Sequence, residues 1–322
     1  MDRIIAVTGA TGFIGAHLCR ALSQAGYAVR ALVRSAPQHP LPGTEYFPLG
    51  ELERAGEAAL DHALRNISAV VHLAGRAHVL DERSRNPRAA YEAANVDTTT
   101  RVLAASLRCG VSRFVLASSV KVNGESTYAG QPFRPHDAPA PKDAYGQTKL
   151  AAEQLLSSRQ DAPCTAVVLR LPLVYGPGVR GNFERLMEAI ASERWLPIGA
   201  IDNRRSLAYV GNVCDAIEAV LGNPTAMCGV HFVADEAPVS TPQLAREIAA
   251  ALHVRARIVR VPVPLLQVAA AVAGRSPQVS RLVSSLEVDT TSLRAAARWR
   301  PPYTLQQGLE ATAAWWRLRH SI

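Results

Sequence analysis

The chain has few cysteines, few charged residues and no long apolar run. Its five cysteines are scattered and form no Cys-x-x-Cys pair, which argues against a disulfide framework and against a zinc site. We therefore expect reduced thiols in a cytoplasmic protein and no metal. Charged residues make up 19% of the 322 residues and hydrophobic residues 48%, so the chain can build a sizeable core and is not disordered.

The basic residues are too dispersed to predict a nucleic-acid surface. The formal charge is +8, from 35 Lys+Arg against 27 Asp+Glu, but no basic stripe interleaved with aromatic side chains is present. A basic surface also suits a small anionic ligand such as a nucleotide. We expect an anionic small molecule as the partner, and no nucleic acid.

The most apolar late segment, residues 261–273, contains two prolines and is too short to span a bilayer. Strand-like residues begin at Ile4, so we expect no signal peptide. These features predict no membrane partner, and we interpret residues 261–273 as a buried helix.

The first half of the chain alternates between short apolar runs and longer segments with helical spacing. The runs read as strands at residues 4–8, 28–33, 45–49, 69–74, 113–117 and 165–171. The helical segments are residues 13–25, 89–109 and 145–158. Strands that are apolar on both faces and alternate with helices predict an α/β fold with a doubly wound parallel sheet.

The pattern changes after Tyr175, where glycines and many prolines separate shorter elements. We predict that residues 1–175 form a dinucleotide-binding domain of the Rossmann type, with parts of later segments returning to it. Residues 176–322 are then mainly a smaller α/β substrate lobe, with a cleft between the two.

A glycine-rich stretch, TGATGFIG, places Gly9, Gly12 and Gly15 between the first strand and the first helix. In this position glycines let backbone N–H groups approach a pyrophosphate at the helix N-terminus, where side chains would block the way. Because strand, loop and helix follow in the required order, the stretch predicts dinucleotide binding rather than a simple turn.

The end of the second strand bears on the choice between NAD and NADP. An acidic residue there would hold the ribose hydroxyls of NAD, but the sequence offers Arg34 and no carboxylate. Arginine can pair with the 2′-phosphate of NADP through its planar fork. We therefore favour NADP over NAD, with a solvated surface arginine as the alternative.

Tyr145 and Lys149 open the helix after the fifth strand, and their i,i+4 spacing puts both on one helical face. A tyrosine with a pKa of about 10 is a poor acid–base catalyst at neutral pH. A nearby ammonium group, or the positive ring of an oxidised nicotinamide, would lower that pKa. The pair predicts proton transfer beside a nicotinamide, against the alternative of an ordinary surface helix.

Together with these motifs, several further segments resemble the extended short-chain dehydrogenase/reductase family, in particular its nucleotide-sugar epimerases, dehydratases and 4-ketoreductases. The resemblance covers nearly the whole chain. It rests on TGATGFIG, HLAG at 72–75, NVDTT at 95–99, SSVKVNG from 118, YGQTK from 145, RLPLVYGPGVRGNF at 170–183 and DTTSLRAAARWRPP at 289–302.

The resemblance implies a catalytic set of Ser119, Tyr145 and Lys149. Ser119 would hydrogen-bond the reacting oxygen, Tyr145 would pass the proton, and Lys149 would tune Tyr145 and hold the nicotinamide ribose. The other cofactor contacts that it implies, beyond Arg34 and the three glycines, are Thr11, Phe13, Ile14, Glu51, Leu52, Leu73, Ala74, Gly75, Asn95, Pro172 and Val174. Glu51 departs from the family, which has aspartate in the adenine contact.

On the substrate side, the resemblance implies contacts from Ser118, Ser119, Asn182, Phe183, Arg205 and Arg281. Arg205 would bind the diphosphate of a nucleotide sugar, with Arg204 as the neighbouring alternative. Leu173 stands where UDP-galactose 4-epimerases carry a substrate-binding asparagine. We interpret Trp299 as core packing rather than as a ligand contact.

The family resemblance is compatible with several different reactions. A 4,6-dehydratase would need an Asp-Glu pair after the serine, and Val120 and Lys121 stand there instead, which excludes it. The absent carboxylate near Arg34 favours an NADPH-dependent reductase of UDP-4-keto-6-deoxy-HexNAc in surface-polysaccharide synthesis. The alternative is a 4-epimerase of UDP-Glc or UDP-GlcNAc with tightly bound NAD, and the lowest-ranked alternative is a non-catalytic NAD(P) sensor.

Two further points concern assembly and an unassigned residue. The resemblance implies a homodimer through the helices that carry Asn95 and Tyr145. Lys121 has no assigned role: it is either a solvated loop lysine or a group that faces the substrate.

Overall fold

A parallel sheet is the centre of the computed structural model of this chain, which describes residues 3–76, 86–128, 130–158, 164–223, 228–274 and 276–320. The strands are β1 (Ile4–Thr8), β2 (Ala28–Val33), β3 (Thr44–Pro48), β4 (Ala69–His72), β5 (Arg113–Ser119), β6 (Thr165–Leu171), β7 (Leu173–Tyr175), β8 (Leu207–Tyr209) and β9 (Gly229–Phe232). Seven of them form one sheet in the order β3-β2-β1-β4-β5-β6-β9, and β7 pairs with β8. All of these pairs are parallel, which confirms the predicted fold class.

Helices cover both faces of the sheet and build the second lobe. They are α1 (Phe13–Gln24), α2 (Glu57–Leu64), α3 (Pro87–Tyr91), α4 (Thr98–Arg108), α5 (Ala144–Ser157), α6 (Asn182–Ala191), α7 (Val210–Gly222), α8 (Thr241–Leu252), α9 (Val263–Val272), α10 (Ser276–Val283), α11 (Thr291–Ala297) and α12 (Leu305–His320). Short 3-10 turns lie at Leu52–Arg54 and Val120–Val122, and a π-helical turn lies at Glu92–Asp97.

The sheet is apolar on both faces because successive side chains of a strand point to opposite sides. Ile5 and Val7 of β1 pack into one buried cluster, which includes residues of α1 and α7. Ala6 between them packs into a second cluster, which includes residues of α2 and α4. The sheet is therefore buried from both sides, as parallel sheets require.

Later parts of the chain return to this layer. Strand β9 joins the sheet beside β6, and α7 packs against α1. The remaining C-terminal elements have a core of their own, which contains Phe183 of α6, Ile248 of α8 and Trp316 of α12. The domain boundary at residue 175 stays a prediction.

Two predicted helices differ from what forms. The helix predicted over residues 89–109 is interrupted by the π-helical turn, which separates α3 from α4. The helix predicted over residues 261–273 forms as α9, but the prediction that it is buried is wrong. Only Ala270 of α9 is buried. Among the described residues, no helix is long and apolar enough to cross a membrane.

Candidate active site

The predicted dinucleotide loop lies where the carboxyl ends of β1 and β4 meet. Gly9 has a φ of +65°, and a Cβ there would come within 2.7 Å of the backbone nitrogen of Ala74. A Cβ on Gly15 would collide with the carbonyl group of Gly9. Both glycines are thus required by the close approach of the loop, the first helix and the segment after β4.

The start of α1 is open to a ligand. Gly12 is its N-cap, has no side chain to cap the helix, and no acidic residue lies in the first turn. Thr11 and Gly12 are exposed, while Phe13 and Ile14 begin the helix half-buried. The first N–H groups of a helix lack partners within it and attract anions. The loop therefore fits the pyrophosphate of a dinucleotide.

A chain of hydrogen bonds runs from this loop across the sheet. The N–H of Ala74 donates to Thr8 Oγ1 (3.1 Å), which lies 2.8 Å from His72 Nδ1. On the other side, Thr99 Oγ1 lies 3.1 Å from His72 Nε2 and donates to the carbonyl of Asn95 (2.6 Å). Because the Thr99 hydroxyl donates to that carbonyl, it accepts from Nε2, so His72 carries its proton on Nε2. Burial lowers the pKa of His72 to about 3, which keeps this ring neutral.

Asn95 connects the segment after β4 to the helix of the predicted tyrosine. Its Nδ2 donates to the carbonyl of Arg76 (3.2 Å) and to Thr148 Oγ1 (3.0 Å), and its Oδ1 accepts from the N–H of Arg76 (2.8 Å). A Cβ on Gly75 would lie 2.6 Å from Asn95 Oδ1 and 3.6 Å from Lys149 Nζ. The π-helical turn holds Asn95 at this junction, and such turns are frequent at functional sites.

The predicted catalytic residues come together at the carboxyl end of β5. Tyr145 hydrogen-bonds Ser119, and Ser119 Oγ accepts from the N–H of Lys121 (3.2 Å). Lys149 is buried and its Nζ donates to the carbonyl of Ala117 (2.8 Å). The fifth strand and α5 thus hold the serine, tyrosine and lysine at one place, although their roles in catalysis stay predictions.

The pKa values at this site differ from the expectation. Burial raises the pKa of Tyr145 to about 12, while its hydrogen bond with Ser119 opposes the rise. Burial also lowers the pKa of Lys149 to about 8. We expected the pKa of Tyr145 to be lowered, and the opposite net direction results because desolvation outweighs its partners. A further positive charge is needed to make Tyr145 a base at neutral pH.

Ser118 points to the other side of β5, away from its neighbour. Its hydroxyl donates to Glu153, whose carboxylate pairs with Arg170 through two hydrogen bonds of 2.6 and 3.0 Å. Arg170 also donates to Asn123 Oδ1 (2.8 Å), and all four side chains are buried. The structure therefore does not bring the Ser118 hydroxyl to the substrate side, and the residue belongs to this buried cluster instead.

Lys121, which the sequence left unassigned, joins two acidic residues. Its Nζ donates to Glu125 (3.0 Å) and to Asp143, whose other oxygen accepts from the N–H of Gly146 (2.8 Å) at the start of α5. Val120 is buried. Neither residue at these two positions is placed as a free acid or base, which agrees with the exclusion of a dehydratase.

At the adenosine end, Arg34 has an acidic partner that sequence reasoning missed. Its Nε lies 2.8 Å from Glu51 Oε1, and the two side chains are 74% and 41% exposed. Glu51 follows β3, which pairs in parallel with β2, so the carboxylate arrives from the neighbouring strand. The adjacent Leu52 is buried against the core. Glu51 thus supplies, from the neighbouring strand, the carboxylate that the end of β2 lacks.

The nicotinamide-side residues lie after β4 and β6. Leu73 and Ala74 are half-buried and Gly75 is exposed directly after β4. Pro172 is buried at the end of β6, and Val174 is half-buried on β7. Their cofactor contacts stay predictions.

The predicted substrate residues are divided between the surface and the core. Asn182 is exposed at the start of α6, but Phe183 is buried and stacks on Tyr175 at 5.2 Å between ring centroids. Arg205 Nη1 donates to the carbonyls of Arg281 (2.6 Å) and Ser284 (3.0 Å). Phe183 is therefore a core residue rather than an open contact, and Arg205 is fixed against the backbone at the end of α10.

Two alternatives from the sequence are also resolved. Arg204 is exposed and pairs with Glu287 (2.9 Å), so it is the outward neighbour of Arg205. Trp299 is buried and donates to Asp215 Oδ1 (2.6 Å), which confirms that it packs in the core. No cluster of three or more potential metal ligands lies in the part of the chain that the structure describes.

Comparison with known proteins adds sequence and structural relatives. Residues 5–233 match the family described as NAD dependent epimerase/dehydratase family. The chain is 36% identical to the UDP-glucose 4-epimerase of Vibrio cholerae, covering 97% of this chain and 95% of the relative. It is 29% identical to the N-acetyl-alpha-D-glucosaminyl-diphospho-ditrans,octacis-undecaprenol 4-epimerase of Escherichia coli O157:H7, with the same coverage. A solved structure, MoeE5 in complex with UDP-glucose and NAD, superposes with a TM-score of 0.77 at 28% identity and covers 99% of this chain and 100% of that one.

Proposed function

Because this chain belongs to the NAD-dependent epimerase/dehydratase family, we propose that it is a UDP-hexose 4-epimerase that keeps NAD bound through its reaction. The observation that carries the proposal is the position of Tyr145, hydrogen-bonded to Ser119 and one helical turn from buried Lys149. Relatives named as UDP-glucose 4-epimerase and a relative solved with UDP-glucose and NAD support a UDP-hexose as the substrate.

In the proposed reaction, Tyr145 takes the proton of the hydroxyl at C4 of the hexose and later returns it. Ser119 hydrogen-bonds the C4 oxygen and the phenol, so both stay aligned while the proton moves. A bound nicotinamide would accept the hydride from C4 and give it back on the other face of the sugar. The protein must therefore let the 4-keto sugar turn over while Tyr145 holds the proton.

Lys149 has two parts in this scheme. Its ammonium would stabilise the tyrosinate and hydrogen-bond the nicotinamide ribose, while the Ala117 carbonyl keeps it in place (2.8 Å). A pKa of about 8 leaves most of this group charged at neutral pH. Its removal should therefore weaken both proton transfer and the retention of NAD.

The pair of Arg34 and Glu51 supports NAD over NADP. A free arginine could bind a 2′-phosphate, but here the guanidinium lies 2.8 Å from a carboxylate that would repel that phosphate. The same carboxylate can accept hydrogen bonds from the ribose hydroxyls of NAD. Retained NAD is what a 4-epimerase requires, since it consumes no reducing equivalent.

The second candidate is the NADPH-dependent reductase of UDP-4-keto-6-deoxy-HexNAc. The presence of Arg34 at the end of β2 is the observation in its favour. The catalytic residues are common to both reactions, so they do not separate them. The non-catalytic sensor is the least supported reading, because Ser119, Tyr145 and Lys149 are all present.

The test uses purified protein without added cofactor. We expect conversion of UDP-Glc or UDP-GlcNAc to the 4-epimer by chromatography, and NAD in the denatured protein by mass spectrometry. The lipid-linked GlcNAc diphosphate named for the Escherichia coli relative belongs in the same assay. Absence of epimerisation, together with NADPH oxidation on a UDP-4-keto-6-deoxy sugar, would replace the epimerase by the reductase. Binding of NAD with no turnover of any of these would point to the sensor.

We also propose a cytoplasmic homodimer. All five cysteines are free thiols, which suits a reducing compartment. A groove beside α5 is lined by charges of both signs, including Arg88, Glu92 and Asp97, and such a surface can pair with a copy of itself. Sedimentation velocity would test the dimer, and a monomer at assay concentrations would contradict it.

A further inference from the structure

Helix α9 presents an apolar face to the outside of the C-terminal lobe. The helix contains no charged residue, and Leu265, Val268 and Val272 are 60%, 62% and 88% exposed. Their i, i+3, i+7 spacing places them side by side on one face. We call these three residues the α9 face.

The opposite side of α9 is partly buried. Val263, Leu266 and Ala270 are the inner residues, and the first two pack against the buried cluster of the C-terminal lobe. The helix therefore has a distinct inner and outer side. An ordinary surface helix would carry polar residues outside, so the α9 face needs a separate explanation.

The segments that adjoin α9 are basic and carry an exposed tryptophan. Trp195 is 68% exposed, and the Arg257 guanidinium lies over its ring at 5.7 Å. Residues 194–199 and 255–260 run side by side and contain no acidic residue, although Glu193, which precedes them, pairs with Arg257 (2.9 Å). Arg255 and Arg260 are exposed and make no ion pair with a described residue.

These features adjoin α9 along the chain, since Arg260 lies three residues before α9 begins and residues 255–260 pair with residues 194–199. Leu196, Ile258 and Leu266 all pack inward against one core cluster. Trp195, which precedes Leu196, is exposed, as is Leu265, which precedes Leu266. An apolar helix face, an exposed tryptophan and unpaired arginines thus project from one lobe.

We propose that this surface docks the enzyme on an anionic lipid bilayer. The α9 face would enter the boundary between headgroups and acyl chains, Trp195 would lie at the headgroup level, and Arg255 and Arg260 would contact lipid phosphates. Such a contact needs no membrane-spanning helix. The membrane contact also does not depend on which sugar the enzyme converts.

The charges favour a bilayer over a second copy of the chain. A symmetric contact through the α9 face would bring two identical sets of unpaired arginines together, and like charges across an interface oppose binding. An anionic bilayer offers opposite charge and an apolar layer at the same time. A bilayer therefore accounts for both the apolar α9 face and the unpaired arginines.

The test is co-sedimentation with vesicles. We expect the full chain to pellet with vesicles of phosphatidylcholine and phosphatidylglycerol, and much less with phosphatidylcholine alone or at high salt. The variant Leu265→Gln/Val268→Gln/Val272→Gln should lower the partition constant by about tenfold or more. Arg255→Gln/Arg260→Gln should reduce binding to anionic vesicles only.

Leu318→Gln is the matched control, because Leu318 is 87% exposed on α12, a different helix of the same lobe. It should bind vesicles like the wild type. The triple variant should keep the wild-type melting temperature and the wild-type turnover of a soluble UDP-hexose without vesicles. Turnover tests the proposed epimerase separately, since pelleting does not depend on it.

Several results would overturn the proposal. They are failure of the wild type to pellet, pelleting that the triple variant leaves unchanged, and equal loss of pelleting in Leu318→Gln. Sedimentation velocity could give a fourth. If the wild type is an oligomer and the triple variant is a monomer, the α9 face contacts a second copy of the chain rather than a bilayer.

Discussion

Two adjacent serines at the end of β5 face opposite environments. Ser118 contacts a closed cluster in which Glu153 and Arg170 satisfy each other. Ser119 contacts Tyr145, whose pKa burial raises to about 12, at the carboxyl end of β5. Glu153 and Arg170 neutralise each other where they are buried, whereas a buried tyrosine with a shifted pKa beside a serine is typical of a reactive site. The two serines thus mark two sides of β5. We call the side of Ser118 structural, and the side of Ser119 chemical because the proposed reaction takes place there.

The largest expected effect on the chemical side comes from Tyr145→Phe. Removal of the phenolic hydroxyl leaves no group to take the C4 proton, so kcat should fall by about 10³-fold or more. The measurement is turnover of a UDP-hexose by chromatography. The free energy of unfolding should change little. A kcat near the wild-type value would show that another residue moves the proton.

On the structural side, Glu153→Ala should have the largest effect on stability. It leaves Arg170 buried without its carboxylate, so the free energy of unfolding should fall by about 3–5 kcal/mol. Urea denaturation measures this loss. The double variant Glu153→Leu/Arg170→Met removes both charges and should recover much of it. Equal losses in the single and the double variant would show that packing, not the unpaired charge, causes the effect.

A crossed pair of variants tests the two sides directly. Ser119→Ala should lower kcat by about 10²-fold with little change in stability. Ser118→Ala should lower the free energy of unfolding by about 1–2 kcal/mol and leave kcat nearly unchanged, because it removes one hydrogen bond to a buried carboxylate. Each variant is the control for the other. A large loss of kcat in Ser118→Ala would place that serine on the chemical side after all.

Lys121→Met should shift the pH dependence of kcat. Asp143 raises the pKa of Tyr145, and Lys121 now neutralises Asp143. Removing the lysine should therefore raise the pKa of Tyr145 further. In the proposed reaction Tyr145 acts as a base when deprotonated, so the rising limb of the pH profile should move to higher pH by up to about one unit. Lys121→Arg keeps the charge and should restore the profile, and a shift to lower pH would refute the assignment.

The smallest effect is expected at the exposed pair of Arg34 and Glu51. Glu51→Ala should leave stability almost unchanged, because exposed ion pairs contribute little. It frees Arg34, so the ratio of NADP to NAD affinity should rise by about tenfold. Titration of the cofactor-free protein with each dinucleotide measures the ratio. Arg34→Ala in the same background should abolish the gain.

The sheet could be predicted from the sequence, and so could the strands after which the site residues lie, because both depend on local patterns. The strands at residues 4–8, 28–33 and 165–171 form at the predicted bounds, since parallel strands are apolar on both faces. The carboxyl ends of parallel strands lie at the same end of a sheet, so residues after β1, β4 and β5 come near each other.

Other features depend on contacts between distant residues and were missed for that reason. The side that Ser118 faces is decided by Glu153 and Arg170, far along the chain. Glu51 reaches Arg34 only because β3 pairs with β2. An apolar helix pattern is typical of burial, and the exposure of α9 depends on how little of the chain covers it.

The π-helical turn at Glu92–Asp97 places a constraint on the length of the chain rather than on its composition. A π turn holds one more residue than the α-helical turn that would replace it. Deleting one residue there would rotate everything before it by about 100° relative to α4. Asn95 would then lose Arg76 or Thr148 although every contacting side chain were still present. Outside Asn95, this stretch should therefore tolerate substitution better than insertion or deletion.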